Sequence, residues 1–319
     1  MSEDDLIARH FAPLAGEGGL GLLDDAARIA SRPGHDLIIT CDALVAGVHF
    51  FAHDPADAIA AKALRVNLSD LAAKGAAPCG FVLALALPQP DESWLAAFAR
   101  GLKRDSEAFA FPLLGGDTVK TPGPLMVSVT AFGSVPEGRM VARTGARPGD
   151  ALYVSGTIGD AALGLLERQG QMESGQGAAH LLARYLIPEP RNALAPILRD
   201  HAHAAMDVSD GLIGDLTKMM RVSGVTAEVQ LADVPLSAAA RVAIGADEGL
   251  FMRALSGGDD YEILASVPLD KASGFEAAAA AVGVPVTRIG MVEAHQEPPR
   301  FLMADGRAVE LVGGSYSHF

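Results

Sequence analysis

Residues 37–42, "LIITCD", are aliphatic and β-branched and end in an acid, which predicts a strand with Asp42 at its end. The pattern then changes to a helical one. "PADAIAAKALRVNLSDLAAKG" sets Ile59, Ala63, Val66 and Ala73 among strong helix formers, with Asp54 and Pro55 as a start and Gly75 as a stop. Asn67, Asp70 and Lys74, spaced by three and four, share one face of that helix. Such a face is either solvated and salt-bridged or part of a site. "GFVLALAL" predicts a buried strand, and "DESWLAAFARGLKRDSEAF" an amphipathic helix from about Asp91. "LLGGDT" (113–118) reads as a strand end, a glycine turn and an aspartate delivered by it, and "LMVSVTAFGSV" as a further strand. This order favours an α/β or α+β domain over an all-β sandwich.

"PEGRMVARTGARPGD" (136–150) is basic, rich in glycine and without a period, so a boundary is expected there, dividing the chain into 1–137 and 138–319. Beyond it "ALYVSG" predicts a strand, "DAALGLLERQG" a helix and 168–179 an exposed loop. "AMDVSDGLIGDLTKMM" puts Asp207 and Asp210 near a strand end and Asp215 one turn into a helix. "ALSGGDDYEILASV" leads through a double glycine and two acids into a strand, and "FLMADGRAVEL" carries an Asp305-Gly306 hairpin turn. The two halves echo each other, each with a strand ending in an acid, a helix and a later Gly-Gly-Asp.

Composition narrows the function classes. Half of the 319 residues are hydrophobic, and 39 acids against 25 bases leave a net charge of -14. That balance argues against a nucleic-acid groove, but not against phosphorylated small molecules, because a bound Mg²⁺ reverses the local sign. No apolar run is long enough to span a membrane, and the acidic N-terminus does not fit a targeting peptide. Two cysteines, Cys41 and Cys79, with no CxxC, fit a reducing compartment, so a cytoplasmic protein is expected.

The recurring chemistry is aspartate beside glycine or a hydroxyl residue at element ends. Any one of these acids can be a cap or a turn residue. Several converging in space would require cations, and hard oxygen donors select Mg²⁺, Mn²⁺ or Ca²⁺ over zinc. Glycines 115, 116, 257 and 258 would allow a phosphate to approach the backbone. Neither a P-loop nor a GxGxxG turn, an HExxH or a GxSxG is present. His49 reads equally as a packing residue or a ligand, and Cys41 as a small buried residue.

Taken in order, "LLDDAA", "TCDALVAGVHF", "KALRVNLSDLAAKGAAP", "LLGGDTVK", "ARTGARPGD", "YVSGTIGDAALGL", "DVSDGLIGDL", "LSGGDDYEIL" and "SYSHF" give the chain a resemblance along essentially its whole length. It resembles the thiamine-monophosphate kinase family, within the superfamily of aminoimidazole-ribonucleotide-synthetase-like ATP-binding proteins. The resemblance implies Mg²⁺-dependent phosphoryl transfer from ATP to thiamine phosphate, with several ions. It also implies a homodimer whose N-terminal α/β domains join their sheets into a barrel-like core, each C-terminal α/β domain completing the nucleotide cleft. Carried over by position, it implies a metal set of Asp25, Thr40, Cys41, Asp42, Asp70, Asp117, Asp207 and Asp210. Nucleotide contacts fall on Gly116, Asp117, Arg143 and Ser209, and substrate contacts on His49, Asp259, Glu262 and Tyr316. Asp42, Asp117, Arg143 and Asp210 stand closest to the chemistry.

Five positions depart from the family pattern. Leu23 replaces a glycine before the paired acids, Cys41 replaces a threonine although thiol sulfur is a poor Mg²⁺ ligand, Asp259 replaces a glutamate, and Ser315 and Ser317 alter the tail. The alternatives are another ATP-dependent enzyme of the superfamily, such as an aminoimidazole-ribonucleotide-synthetase-like ligase, or a non-enzymatic protein that binds metal or nucleotide.

Overall fold

The computed structural model describes residues 3–172, 175–295 and 297–309. The backbone divides into two units. One comprises the residues up to Leu71 with Ala76–Gly138, the other Ala72–Gly75 with the residues from Arg139 onward.

In the first unit the elements run α1 (Glu3–Leu6), β1 (His35–Val45), α2 (Ala56–Ala73), β2 (Ala77–Leu87), α3 (Glu92–Ala108), β3 (Leu113–Lys120) and β4 (Met126–Pro136). The strands form an open sheet in the order β1-β4-β2-β3, in which only β2 and β3 run parallel. Asp91 caps α3 by accepting from the amides of Ser93 and Trp94, and Gly75, at φ +71°, stands just past the end of α2. Leu64, Leu68 and Leu71 of α2 and Leu95 and Phe98 of α3 bury their side chains with Phe81, Leu85, Val127 and Val129 of the sheet. Each contributes roughly 2 kcal/mol of apolar burial. On the other face of β1, Leu37 and Ile39 remain 49% and 59% exposed.

Two sequence expectations change here. β1 does not end at Asp42 but continues to Val45, because β4 supplies partners as far as Met126; Asp42 pairs with Val129 inside the strand. "LLGGDT" is not a turn either. β3 runs unbroken through both glycines, with one irregularity where Phe81 faces Leu113 and Val82 faces Gly115. A Cβ on Gly116 would stand 2.0 Å from the Leu83 carbonyl oxygen, so glycine is what allows β3 to lie against β2.

The second unit contains β5 (Ala151–Ser155), α4 (Asp160–Arg168), α5 (Ala178–Leu186), α6 (Ala195–His201), β6 (Ala204–Val208), α7 (Leu212–Ser223) and β7 (Thr226–Gln230). It continues with α8 (Ala238–Ala246), α9 (Gly249–Ser256), β8 (Glu262–Val267), α10 (Ala272–Ala281), β9 (Val286–Glu293) and β10 (Arg300–Leu302). Its six-stranded sheet has the order β10-β7-β9-β5-β8-β6. Strands β5, β6 and β8 are buried along their whole length, so they read as continuous apolar runs instead of alternating ones. The hairpin turn at Asp305-Gly306 forms, with the Met303 amide bonded to the Arg307 carbonyl. Together the units make a two-domain mixed α/β fold.

Candidate active site

In the first unit, period-two alternation along β1 separates the candidate metal ligands. Thr40 and Asp42 are partly buried and share one strand face, while Cys41 is exposed on the other, near Thr130 Oγ1 at 3.3 Å and Ser128 Oγ at 3.7 Å. The Cys41 thiol therefore points away from the Thr40 and Asp42 side chains. Thr40 Oγ1 donates to Asp70 Oδ2 of α2 at 2.5 Å. Burial, and then the Asp70 charge, push the Asp42 carboxyl up to about 6.

At the other edge of the sheet a cavity of about 390 Å³ brings three further candidates together. Asp25, Gly116 and Asp117 line it, with Asp24 and Thr118 beside them and Ile7, Phe11 and Leu22 among its apolar residues. The loop carrying the acids is tied to β3 by the Gly16 amide on the Leu113 carbonyl and closed on itself by the Arg28 amide on the Gly18 carbonyl, both at 2.8 Å. Leu23 adopts φ -106° and is 92% exposed, so this position makes no demand for glycine. His49 sits past the end of β1, where its Nδ1 accepts the Val45 amide at 3.0 Å. That bond fixes the orientation of the ring and assigns any proton of a neutral imidazole to Nε2.

In the second unit, β6 ends in buried Asp207 and Val208, and Ser209 and Asp210 follow before α7. Asp215, in the first turn of α7, accepts the amides of Ser209 at 3.0 Å and Asp210 at 2.8 Å through Oδ2. Its burial raises its pKa, against the pull of the Asp210 amide and of Lys218. Lys218 Nζ bonds Asp215 Oδ1 at 3.1 Å and also Asp210 Oδ2. The Gly-Gly-Asp segment is fastened to the same loop by the Asp259 amide on the Ser209 carbonyl at 2.9 Å. Asp259 and Tyr261 have φ of +71° and +52°, rare for residues with side chains and a source of local backbone strain. Arg143 is exposed in a segment held by Val141 and Ala142, and it has no hydrogen bond or ion pair among the described residues.

Glu262 differs from the expectation of an accessible substrate contact. It is fully buried, and its oxygens accept from Ser155 Oγ (2.6 Å), Arg184 Nη2 (2.9 Å) and Arg191 Nε (2.7 Å). A Cβ on Gly156 would lie 2.1 Å from Glu262 Oε1, so that glycine makes room for the carboxylate. Neighbouring Asp260 is also buried and accepts the Gly159 amide at 2.8 Å, where α4 begins; burial holds its pKa well above the usual range. Tyr316 lies outside the described residues.

Sequence reasoning missed Lys218, Arg184 and Arg191. Lys218 had a local signal, three residues beyond Asp215 on one helix face. The arginines had none, because Glu262 is more than seventy residues away from either.

Among the described residues no three His, Cys, Asp or Glu side chains gather into a metal cluster. The donors nevertheless suit a hard cation, being carboxylates and a hydroxyl. Burial first, and the Asp70 charge second, let the Asp42 carboxyl hold a proton to about pH 6, and a divalent cation would offset both. At Asp210 and Asp215 the Lys218 ammonium already balances the carboxylates.

Residues 23–135 match the family described as AIR synthase related protein, N-terminal domain, and residues 147–299 the corresponding C-terminal domain. A thiamine-monophosphate kinase from Caulobacter vibrioides is 50% identical over 296 residues, covering 91% of this chain and 83% of that one. The crystal structure of thiamine-monophosphate kinase from Stenotrophomonas maltophilia superposes with a TM-score of 0.84 at 39% identity, covering 96% of both chains. A structure of AaThiL complexed with AMPPCP and TMP gives a TM-score of 0.80 at 30% identity, over 99% of this chain and 94% of the other. No helix among the described residues is long and apolar enough to cross a membrane.

Proposed function

The chain belongs to the AIR synthase related protein family and, within it, to the thiamine-monophosphate kinases, and from that premise we infer that it transfers a phosphoryl group from ATP to thiamine phosphate, giving thiamine diphosphate and ADP. The acceptor oxygen of thiamine phosphate is already anionic near neutral pH, so the transfer needs no strong base and no side-chain nucleophile. It proceeds in line, without a phosphoenzyme. The obstacle is repulsion between two phosphate-bearing ligands, and Mg²⁺ supplies the charge that offsets it.

What the protein contributes is positioning. Asp42 and Asp70, aligned by Thr40, would hold cations at one edge of the first unit's sheet and Asp25 and Asp117 at the other, and Asp207, Ser209 and Asp210 are the candidate donors of the second unit. Gly116 and Asp117 face the nucleotide in the cavity beside β3, whose apolar residues suit a base and whose acids suit metal-bound phosphates. Arg143, exposed and without a hydrogen bond or ion pair among the described residues, is suited to a phosphate oxygen. His49 and Asp259 serve the thiamine end. Glu262 acts there through the two arginines it holds. Exposed Leu37 and Ile39 on the open face of the sheet support a homodimer in which two such sheets form a barrel-like core.

The observation that carries this reading is the Thr40–Asp70–Asp42 arrangement, in which a buried carboxylate faces a second acid at a cost that a cation would offset. The test is a product assay with ATP, Mg²⁺ and thiamine phosphate, by chromatography of thiamine diphosphate. Asp42→Asn should lower turnover by at least about a hundredfold, on the scale of a lost electrostatic contact to the transition state. ADP release with formylglycinamidine ribonucleotide and none with thiamine phosphate would overturn the assignment.

A further inference from the structure

Lys218 is a charged group that the proposed chemistry leaves unassigned, and it touches two carboxylates of unequal standing. Asp215 is buried to 1% exposure and sits three residues earlier on α7, so its ion pair with Lys218 is internal to the helix. It also receives the amides of Ser209 and Asp210, which makes it the fixed point of the loop. Asp210 lies before the helix, and its side chain is 36% exposed. The ammonium therefore has a rigid anchor on one side and an accessible acid on the other.

We propose that Lys218 is a positioning residue that acts as a resident counter-cation: it holds Asp210 in the metal-free protein and gives up that carboxylate to Mg²⁺, while remaining anchored on Asp215. This rests on the reading of Asp210 as a cation ligand. An ammonium and a divalent cation repel when they share one carboxylate in a partly desolvated site, so the lysine and the metal compete. The ammonium has three donors, and those that leave Asp210 can turn toward an anionic ligand arriving with the metal. Without Lys218, Asp210 and Asp215 would face each other uncompensated, and a cation would bind them more tightly. A merely structural lysine would give the opposite result, since a loosened loop binds cations less well.

The experiment uses the full chain without nucleotide and Mn²⁺ as the probe, with free Mn²⁺ counted by electron paramagnetic resonance. Asp210→Asn identifies the class of site to be followed by weakening it. For that class Lys218→Met should bind Mn²⁺ about tenfold more tightly than the native protein, a change of about 1.4 kcal/mol. Lys218→Arg, which keeps the charge, should stay within about twofold. Lys218→Gln, which retains a donor for Asp215, should follow Lys218→Met and serves in its place if circular dichroism shows that variant unfolded. If Asp210→Asn weakens Mn²⁺ binding but neither neutral variant strengthens it, the role of Lys218 is overturned and the reading of Asp210 stands. If Asp210→Asn leaves Mn²⁺ binding unchanged, both fail.

Discussion

Thr40 Oγ1 donates to Asp70 Oδ2 across 2.5 Å and joins β1 to α2, while Asp42, two residues along the same strand face, meets the Asp70 charge. The hydroxyl neutralises nothing. It orients one carboxylate and leaves the repulsion between the two acids in place, which is an arrangement suited to receiving a cation.

A pH dependence follows. Asp42 has its pKa raised from 3.8 to about 6 in the folded protein. Below the unfolded value both states are protonated and no stability is lost. As pH rises from about 3.8 the unfolded state ionises first and the metal-free fold weakens, a loss that is complete once pH passes about 6 and amounts to about 2–3 kcal/mol. Mg²⁺ binds the carboxylate form, so its stabilising effect should grow from about pH 5 to about pH 7.5. Thermal unfolding with Mg²⁺ and with EDTA at both values checks this. Asp42→Asn should be more stable than the native protein in EDTA at the higher pH and should show a smaller Mg²⁺ gain. Equal pH trends for the two metal-free proteins would sink the argument.

The two glycines of β3 should separate sharply. A Cβ at Gly116 would stand 2.0 Å from the Leu83 carbonyl oxygen, whereas at Gly115 the nearest neighbours are 3.9 Å away or more. Gly116→Ala is expected to cost about 3 kcal/mol or more, since backbone cannot yield as a side chain can. Gly115→Ala should stay within about 1 kcal/mol of the native protein. Urea unfolding of both variants distinguishes the cases. Similar midpoints would mean that β3 moves away from β2 freely.

These glycines also mark the limit of what local pattern conveys. Aliphatic and β-branched runs revealed β1, β2 and β4, and helical spacing with Asp91 and Gly75 revealed α2 and α3, because those signals act over a few residues. "LLGGDT" looked like a turn because Gly-Gly is common in turns. That the second glycine is required by another strand's carbonyl depends on the pairing of β2 with β3 and leaves no trace nearby. Candidate site residues were legible as types for the same reason. Asp42 and Asp70 were both singled out, but the Thr40 bond that aligns them, and the exposure of Cys41 on the opposite strand face, follow from tertiary placement. In α5 the polar stretch before it hid an amphipathic helix whose Arg184 has its partner at Glu262.

That buried network yields a stability prediction. Arg191→Ala would leave Glu262, fully buried, with Arg184 and Ser155 alone, and Glu262→Gln would leave two guanidinium groups against a neutral amide. Each should cost about 3–5 kcal/mol, the usual penalty for breaking a buried pair from one side. Denaturant unfolding measures it. If Glu262→Gln lost thiamine phosphate affinity at native stability, Glu262 would be a direct substrate contact and not a holder of arginines.

Asp259 should show the opposite relation between stability and activity. Its backbone is held at φ +71° by the amide bond to the Ser209 carbonyl, and an L side chain there costs of order 1 kcal/mol that glycine avoids. Asp259→Gly is therefore expected to unfold at higher denaturant by about 1 kcal/mol, because the loop keeps its amide bonds while losing the strain. The same change removes a carboxylate that lies beside the Ser209–Asp210 loop and has Tyr261 Oη 3.4 Å away. Turnover or thiamine phosphate affinity should fall by at least about tenfold. Asp259→Ala separates the two effects, since it removes the carboxylate and retains the strain, so it should lose activity without gaining stability. A variant with glycine at this position that is both more stable and fully active would mean that the strained acid serves no function in the reaction.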